Sequence, residues 1–362
     1  MEKAIAKAEV LLKQGIPKEK IAAALNIPEE ACEIAAARLR NEKIQKTSHK
    51  NLYMALNDLR FATNETAANY RAKRLKCDTI IEIGSGIGLQ SIALAKTCKK
   101  VYAIEIDKRK HEYAVKNANL LGINNIEFIH GDALKVINQI KKADIVFCET
   151  EREAEEKERS IKSIKPDIMK VIKEYGKISK DICIEVPPQI QEVQLDCERE
   201  YLSVNHELNR LNLYFGKLKK CEISAVIAET GERLENEGKK LKESKPLSYL
   251  YESDGAVKKA GIEIPLKGLF NCNEYLTSEK KLSSVFFKAV FEIKAKCKGI
   301  RNIFSALKKA GCGKVILRIK ISPEKYWEER KKYESELEGK ETCHLFSSKD
   351  EMLVCKKIEE KD

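Results

Sequence analysis

Four acids and three glycines carry the chemistry legible in this sequence. Gly84, Gly86 and Gly88 stand in EIGSGIG, after an apolar run and before GLQSIALAKTC. Glycine lets a backbone turn tightly and lets a ligand approach where a Cβ would collide. The start of the following helix offers free N–H groups. A dinucleotide site spaces its glycines G-x-G-x-x-G and rests a diphosphate on that helix start. Here the third glycine comes one position early, and Glu82 precedes the turn. An acid at that place suits a cation rather than a diphosphate. Glu105 and Glu149 close two later apolar runs, and Asp132 follows a third.

A ligand with ribose and positive charge but no phosphate meets these demands. S-adenosylmethionine, which carries a sulfonium and an ammonium, is such a ligand. Ser85 sits among the glycines that would cradle it. Glu105 can accept hydrogen bonds from both ribose hydroxyls, with Asp107 as the near alternative or as a helix cap. Asp132 can take the adenine amino group or cap a helix. Ile106 and Ala133 belong to the same binding set. Thr63, Asn64 and Glu65 lie before the glycine turn and can also start the helix ETAANYRAKRL.

These residues need elements to hold them. Residues 1–47 read as a helical region, with IAAALN and EEACEIAAARLR joined by NIP in the manner of a helix-turn-helix or of a plain helical cap. From Asp78, TIIEIG, KVYAIEID, IEFIHGD, ADIVFCE and DICIEVPP alternate with helical segments, including ALKVINQIKK. That alternation predicts a parallel sheet with helices on both faces. EREYLSVNHE and RLNLYFGKLKKCEISAVIAE follow with no helix between them and predict a closing hairpin. Residues 48–230 form this α/β domain. Residues 231–362 form a polar linker, 231–248, and a smaller α+β domain with the helix GIRNIFSALKKAG, the strand KVILRIKI, the helix SPEKYWEERKKYESEL and a final strand pair.

The 362 residues exceed one ordinary core. The net charge of +12 favours a partner rich in phosphate, or reflects a lysine bias spread over the chain. Arg71, Lys73, Arg74 and Lys76 precede the first strand and either grip a phosphate backbone or form a solvated helix face. None of the twelve cysteines forms a C-x-x-C pair, so no zinc site is expected. Their thiols are expected free, in a reduced cytoplasm. Met1 is followed by charged helical sequence rather than a signal peptide, and no apolar run approaches the roughly 18–20 residues that span a bilayer. The five histidines show no metal spacing.

EIGSGIG, AIEID and HGDAL, in that order, resemble the motifs of class I S-adenosylmethionine-dependent methyltransferases over about residues 60–225. LRFATNETAANYRAKRL, YLSVNHELNRLNLYFGKL, YLYESDGAVKKAG and GCGKVILRIKISPE together resemble a methyltransferase family with a C-terminal THUMP-like domain, over most of residues 55–358. Trimethylguanosine synthases share the T-x-E-x-A pre-motif. The resemblance implies a seven-stranded Rossmann-like sheet, S-adenosylmethionine as cofactor and RNA, tRNA or rRNA, as substrate. It also implies that Thr63 and its loop fold over the methionine end of the cofactor.

The fourth strand departs from the pattern. Amino-group methyltransferases carry Asn/Asp-Pro-Pro-aromatic there, and the THUMP-like family resembles Asp-Pro-Ala-Arg-Arg. This chain has CETERE, so Glu149 matches the acid and Arg152 one arginine. Methyl transfer is an in-line displacement that asks mainly for alignment and a dry site. Glu149 is the candidate to hold or deprotonate the nucleophile. Pro187 and Pro188 read as pocket wall, and Cys148 as core. The altered loop also fits a non-catalytic RNA-binding protein that keeps the cofactor fold, or a methyltransferase acting on a protein or small molecule.

Overall fold

The computed structural model describes residues 1–359 except 152–160, 191–192 and 349–350. The chain divides into two compact units, Met1–Arg233 and Leu234–Asp362.

The first unit begins with α1 (Glu2–Lys13), α2 (Lys18–Leu25) and α3 (Glu29–Ile44). Their apolar faces meet in a core of Ile5, Ala8, Ile21, Ala31, Cys32 and Ile34. That core runs on into Leu52, Met54, Ile87, Leu89 and Tyr113. The helices are therefore a cap on the α/β domain rather than a free recognition module. Arg38 on α3 is spent inside it, donating to Glu2 and to the carbonyls of Asn51 and Leu52. Two further helices, α4 (Leu56–Phe61) and α5 (Glu65–Arg74), lead into the sheet.

The strands alternate with helices as the hydrophobic pattern predicts: β1 (Thr79–Ile83), α6 (Leu89–Ala95), β2 (Lys100–Glu105), α7 (Lys108–Leu120), β3 (Ile126–His130), α8 (Ala133–Val136), β4 (Ile145–Glu149), α9 (Ile168–Tyr175) and β5 (Ile182–Val186). The hairpin β6 (Glu198–Val204) and β7 (Glu207–Tyr214) follows, then β8 (Ile223–Ile227) and β9 (Arg233–Glu235). Their order is β3-β2-β1-β4-β5-β7-β6-β8-β9. β1 to β5 run parallel, and β7 enters antiparallel between β5 and β6. The strand order reverses between β2 and β4 on either side of β1. Such a switch point opens a crevice at the strands' carboxyl ends.

The Rossmann-like order is the expected one, but the sheet has nine strands among the described residues rather than seven. CEISAVI does not continue the hairpin. Gly216, at φ +63°, turns the chain after β7, and β8 then pairs parallel with β6. ALKVINQIKK also shortens, to α8 and one 3-10 turn over Ile137–Gln139.

The second unit holds β10 (Tyr249–Ser253), α10 (Gly255–Ala260), β11 (Phe270–Cys272), β12 (Tyr275–Ser278), β13 (Phe287–Cys297), α11 (Ile300–Lys309), β14 (Cys312–Arg318), α12 (Pro323–Glu334), β15 (Glu341–Ser348) and β16 (Glu351–Ile358). Its sheet runs β11-β12-β10-β13-β16-β15-β14. Cys312 and Cys343 are joined by a disulfide, which corrects the expectation that every thiol is free. Their strands β14 and β15 lie side by side in parallel, a pairing distant in sequence that brings the two Cα atoms to 6.0 Å.

Candidate active site

The site is built where β1 and β4 end. Their register pairs Ile83 with Cys148, so the next residues, Gly84 and Glu149, lie side by side. A Cβ on Gly84 would stand 2.6 Å from the Glu149 carbonyl oxygen, and its φ is +79°. Only glycine fits both demands. Gly86 differs: a Cβ there would meet nothing within 4 Å. Its glycine leaves open space where a ligand can lie against the backbone. A cavity of about 280 Å³ opens at this point. Thr63, Gly84, Ser85, Gly86 and Glu149 line it, with Pro187 and Pro188 in its wall.

The remaining described residues of the sequence set do not line that cavity, and the structure shows what each does. Glu105 is buried and accepts from the backbone N–H of Gly86 at 2.7 Å and of Asp107 at 2.8 Å. Burial raises its carboxyl above the ordinary value. Asp107 caps α7 through Lys110 N–H, and Asp132 caps α8 through Leu134 N–H. Ala133 is buried and its carbonyl accepts from Tyr175. Ile106 keeps 68% of its surface exposed, an apolar face beside Glu105. Gly88, at φ +86°, packs its α-carbon side against Ala114. Asn64 caps α5 through Thr66 N–H, and Glu65 accepts from Ser48. Arg152 lies outside the described residues.

Two buried polar atoms near the glycine turn have no hydrogen-bond partner among the described residues, Glu82 Oε1 and Ser85 Oγ. Glu82 accepts from the Ser91 hydroxyl through its other oxygen. Burial pushes its carboxyl up to about 8. An unsatisfied buried acceptor is costly unless a donor or cation reaches it.

Glu149 is the centre of the charge arrangement. β4 and β5 are parallel and pair Glu149 with Glu185, which puts two carboxylates on neighbouring strands. Burial and the Glu185 charge push Glu149 up to about 7, against the pull of Arg71, Arg210 and the Thr63 hydroxyl. Thr63 Oγ1 donates to Glu149 Oε1 at 2.9 Å. Glu185 is held by Arg71 and by Arg210. Lys46 donates to the carbonyls of Leu59 and Arg60 at 2.8 and 2.7 Å and so fixes the turn that carries Thr63. Burial and Arg210 lower its ammonium to about 8.

Reading residue by residue misses Glu185, Arg210 and Lys46, and no local spacing signals them. It also misplaces Arg71 and Arg74. Arg71 is fully buried, bound to Glu185 and to Gln90. Arg74 pairs with Glu198 and Glu200. Neither reaches a phosphate backbone, because α5 turns that face into the domain; Lys73 and Lys76 remain exposed. Cys148 is fully buried, as a core residue should be. Among the described residues no group of three or more metal-type ligands occurs, and no helix is long and apolar enough to cross a membrane.

The chain is similar to several known proteins. An uncharacterised protein of Methanocaldococcus jannaschii is 37% identical over 118 residues, 33% of this chain and 43% of that protein. A probable ribosomal RNA small subunit methyltransferase A of Thermococcus onnurineus is 47% identical over 66 residues, 18% of this chain and 23% of that one. The chain thus spans less than half the length of these curated relatives. The crystal structure of a candidate methyltransferase from Porphyromonas gingivalis W83 shares the fold, with a TM-score of 0.75 at 18% identity over 95% of this chain and 92% of that one. Residues 75–240, a little under half of the chain, match the family described as methyltransferase domain, and this α/β region with its glycine turn has the Rossmann-like fold.

Proposed function

We propose that the protein transfers a methyl group from S-adenosylmethionine to RNA, tRNA or rRNA. The observation that carries this reading is the meeting of Gly84 and Glu149: the glycine turn and a carboxyl whose burial pushes it up to about 7 share one cavity. The names of relatives as RNA methyltransferases support the substrate class.

The residues present fit the cofactor. Glu82 Oε1 and Ser85 Oγ are buried polar atoms in want of partners. Gly86 leaves open backbone, and Glu105 is pre-aligned by two backbone donors. In this reading Thr63, Glu82, Gly84, Ser85, Gly86 and Gly88 hold the methionine and sulfonium side. Glu105 and Ile106 hold the ribose, and Asp132 and Ala133 the adenine. The cofactor supplies an electrophilic methyl on a sulfonium.

Glu149 receives the proton-bearing nucleophile. Its value near neutrality suits it to accept an N–H or to take the proton as the bond forms. Thr63 orients its carboxylate, while Arg71 and Arg210 neutralise Glu185 beside it. Pro187 and Pro188 help exclude water from the reacting face. Arg152, which matches one arginine of the resembled motif, is the second catalytic candidate beside Glu149.

The test is incubation with methyl-labelled cofactor and fractionated RNA, followed by nucleoside analysis. Label in one modified nucleoside is the expected result. Calorimetric cofactor binding with no transfer to any RNA fraction would instead identify a cofactor-binding protein without turnover.

A further inference from the structure

Cys77 and Cys98 stand in the first unit with their sulfurs 3.8 Å apart. β1 and β2 run parallel and pair Thr79 with Lys100. Each cysteine lies two residues before its member of that pair. The ladder already starts before β1, because Lys100 N–H donates to the Asp78 carbonyl at 2.9 Å. The register therefore sets the two cysteines opposite one another at the amino edge of the sheet. Neighbouring strands lie about 4.8 Å apart, within the roughly 4.4–6.8 Å between Cα atoms that a disulfide spans. Rotation about the two Cα–Cβ bonds can bring the sulfurs the rest of the way, to about 2 Å. The second unit makes such a cross-link between parallel neighbours, where Cys312 on β14 is joined to Cys343 on β15.

The surroundings of the pair set an order of reaction. Cys77 is part-exposed and Cys98 is buried. Cys98 packs with Leu75, Ile80 and Val101, and its sulfur also reaches the Leu75 carbonyl at 3.8 Å. Packing alone accounts for Cys98, but not for a second, part-exposed sulfur held against it. Each sulfur acts on the other: the hydrogen bond between them lowers Cys98 below the ordinary thiol value and raises Cys77 above it. A thiolate beside a reachable sulfur is what thiol–disulfide exchange requires. Neither residue serves the cavity. They lie where β1 and β2 begin, whereas the cavity opens where β1 ends.

We infer that Cys77 and Cys98 form a modification site, a dithiol that a small disulfide converts reversibly to an intramolecular disulfide. The Cys77 thiol gives its proton to water, and its sulfur attacks one sulfur of the small disulfide. That S–S bond breaks, and one small thiolate leaves and takes up a proton. The Cys98 thiolate, its own proton passed to water, then attacks the Cys77 sulfur. The Cys77–Cys98 bond forms as the mixed disulfide breaks and the second small thiolate leaves. The two cysteines lose two electrons, and the small disulfide is reduced to two thiols. The bond closes residues 77–98 into one loop that holds β1, the glycine turn and α6. Closing such a loop stabilises the fold chiefly by restricting the unfolded chain. The proposal does not rest on the methyl transfer proposed above.

The experiment takes the full chain, reduces it, and exchanges it into oxidised glutathione. Remaining thiols are alkylated in denaturant, and the protein is digested with trypsin without reduction. Lys96 lies between the two cysteines, so trypsin separates them unless a disulfide holds the fragments together. Fragment 77–96 joined to fragment 97–99 should dominate the mass spectrum and vanish on treatment with dithiothreitol. Alkylation of both thiols in the oxidised sample overturns the proposal. So does a lasting glutathione adduct on Cys77 beside a free Cys98, or a bond from either cysteine to a third. Cys77→Ser gives a second reading. The rise in melting temperature from the reduced to the oxidised state should be larger in wild type by about 5 °C or more. An equal rise in both proteins, which the Cys312–Cys343 bond alone would give, overturns the proposal as well. If Cys77→Ser does not fold, Cys98→Ala takes its place, and the fragment map of wild type needs neither.

Discussion

The Thr63 hydroxyl donates to Glu149 Oε1 at 2.9 Å across 86 residues of chain. This bond ties the loop before α5 to the end of β4, and it acts on the one carboxyl of the cavity whose value lies at about 7. The bond favours the ionised form, because a carboxylate accepts more strongly than a carboxylic acid.

Thr63→Val removes that donor and leaves Glu149 to burial and to the Glu185 charge. Its value should rise from about 7. A shift of up to one unit lowers the ionised fraction at neutral pH by up to about fivefold. The pH–rate profile of methyl transfer should move to higher pH, with its alkaline plateau kept. An unmoved profile would remove Thr63 from the control of Glu149.

Glu149→Gln keeps the shape and removes the titration. Transfer should fall about 10²-fold or more, the usual worth of a positioned base. Cofactor affinity by calorimetry should stay within about twofold. Full transfer by this variant would move the acceptor role to another residue.

Gly84→Ala and Gly86→Asp should separate folding from binding. Alanine at 84 meets the Glu149 carbonyl at 2.6 Å and sits at φ +79°. The strain and overpacking should cost about 2–4 kcal/mol of stability. At Gly86 a Cβ meets nothing within 4 Å and φ is +55°, a conformation aspartate tolerates. Gly86→Asp should melt near wild type yet lose cofactor binding. Unchanged affinity would refute the assigned turn.

His344, in the second unit, is buried beside Phe291 and Phe346, and burial with Arg318 and Lys357 lowers it to about 4. The folded state thus resists its protonation, while the unfolded chain protonates near 6.5. Its contribution to stability is full above about pH 6.5 and is lost as pH falls from there through about 4. Denaturant melts of wild type across that range should decline more steeply than those of His344→Leu. Equal slopes would show that other groups set the acid limb.

What the sequence determined by itself was everything local. Strand–helix alternation from Thr79 to Val186 follows from apolar periodicity. The sharp turn at Gly84–Gly88 follows from residue type. Asn64, Asp107 and Asp132 cap helices because a short acceptor at a helix start reaches N–H groups two or three residues on. The tertiary structure decided what depends on strand neighbours and on which helix face turns inward. It put Glu149 beside Glu185 through the register of β4 and β5, and it joined Cys312 to Cys343. It made Arg71 a buried counter-charge where the linear pattern offered a surface cation. Pairing between strands distant in the chain has no local signature, and the value of a charged side chain changes once water is removed from it.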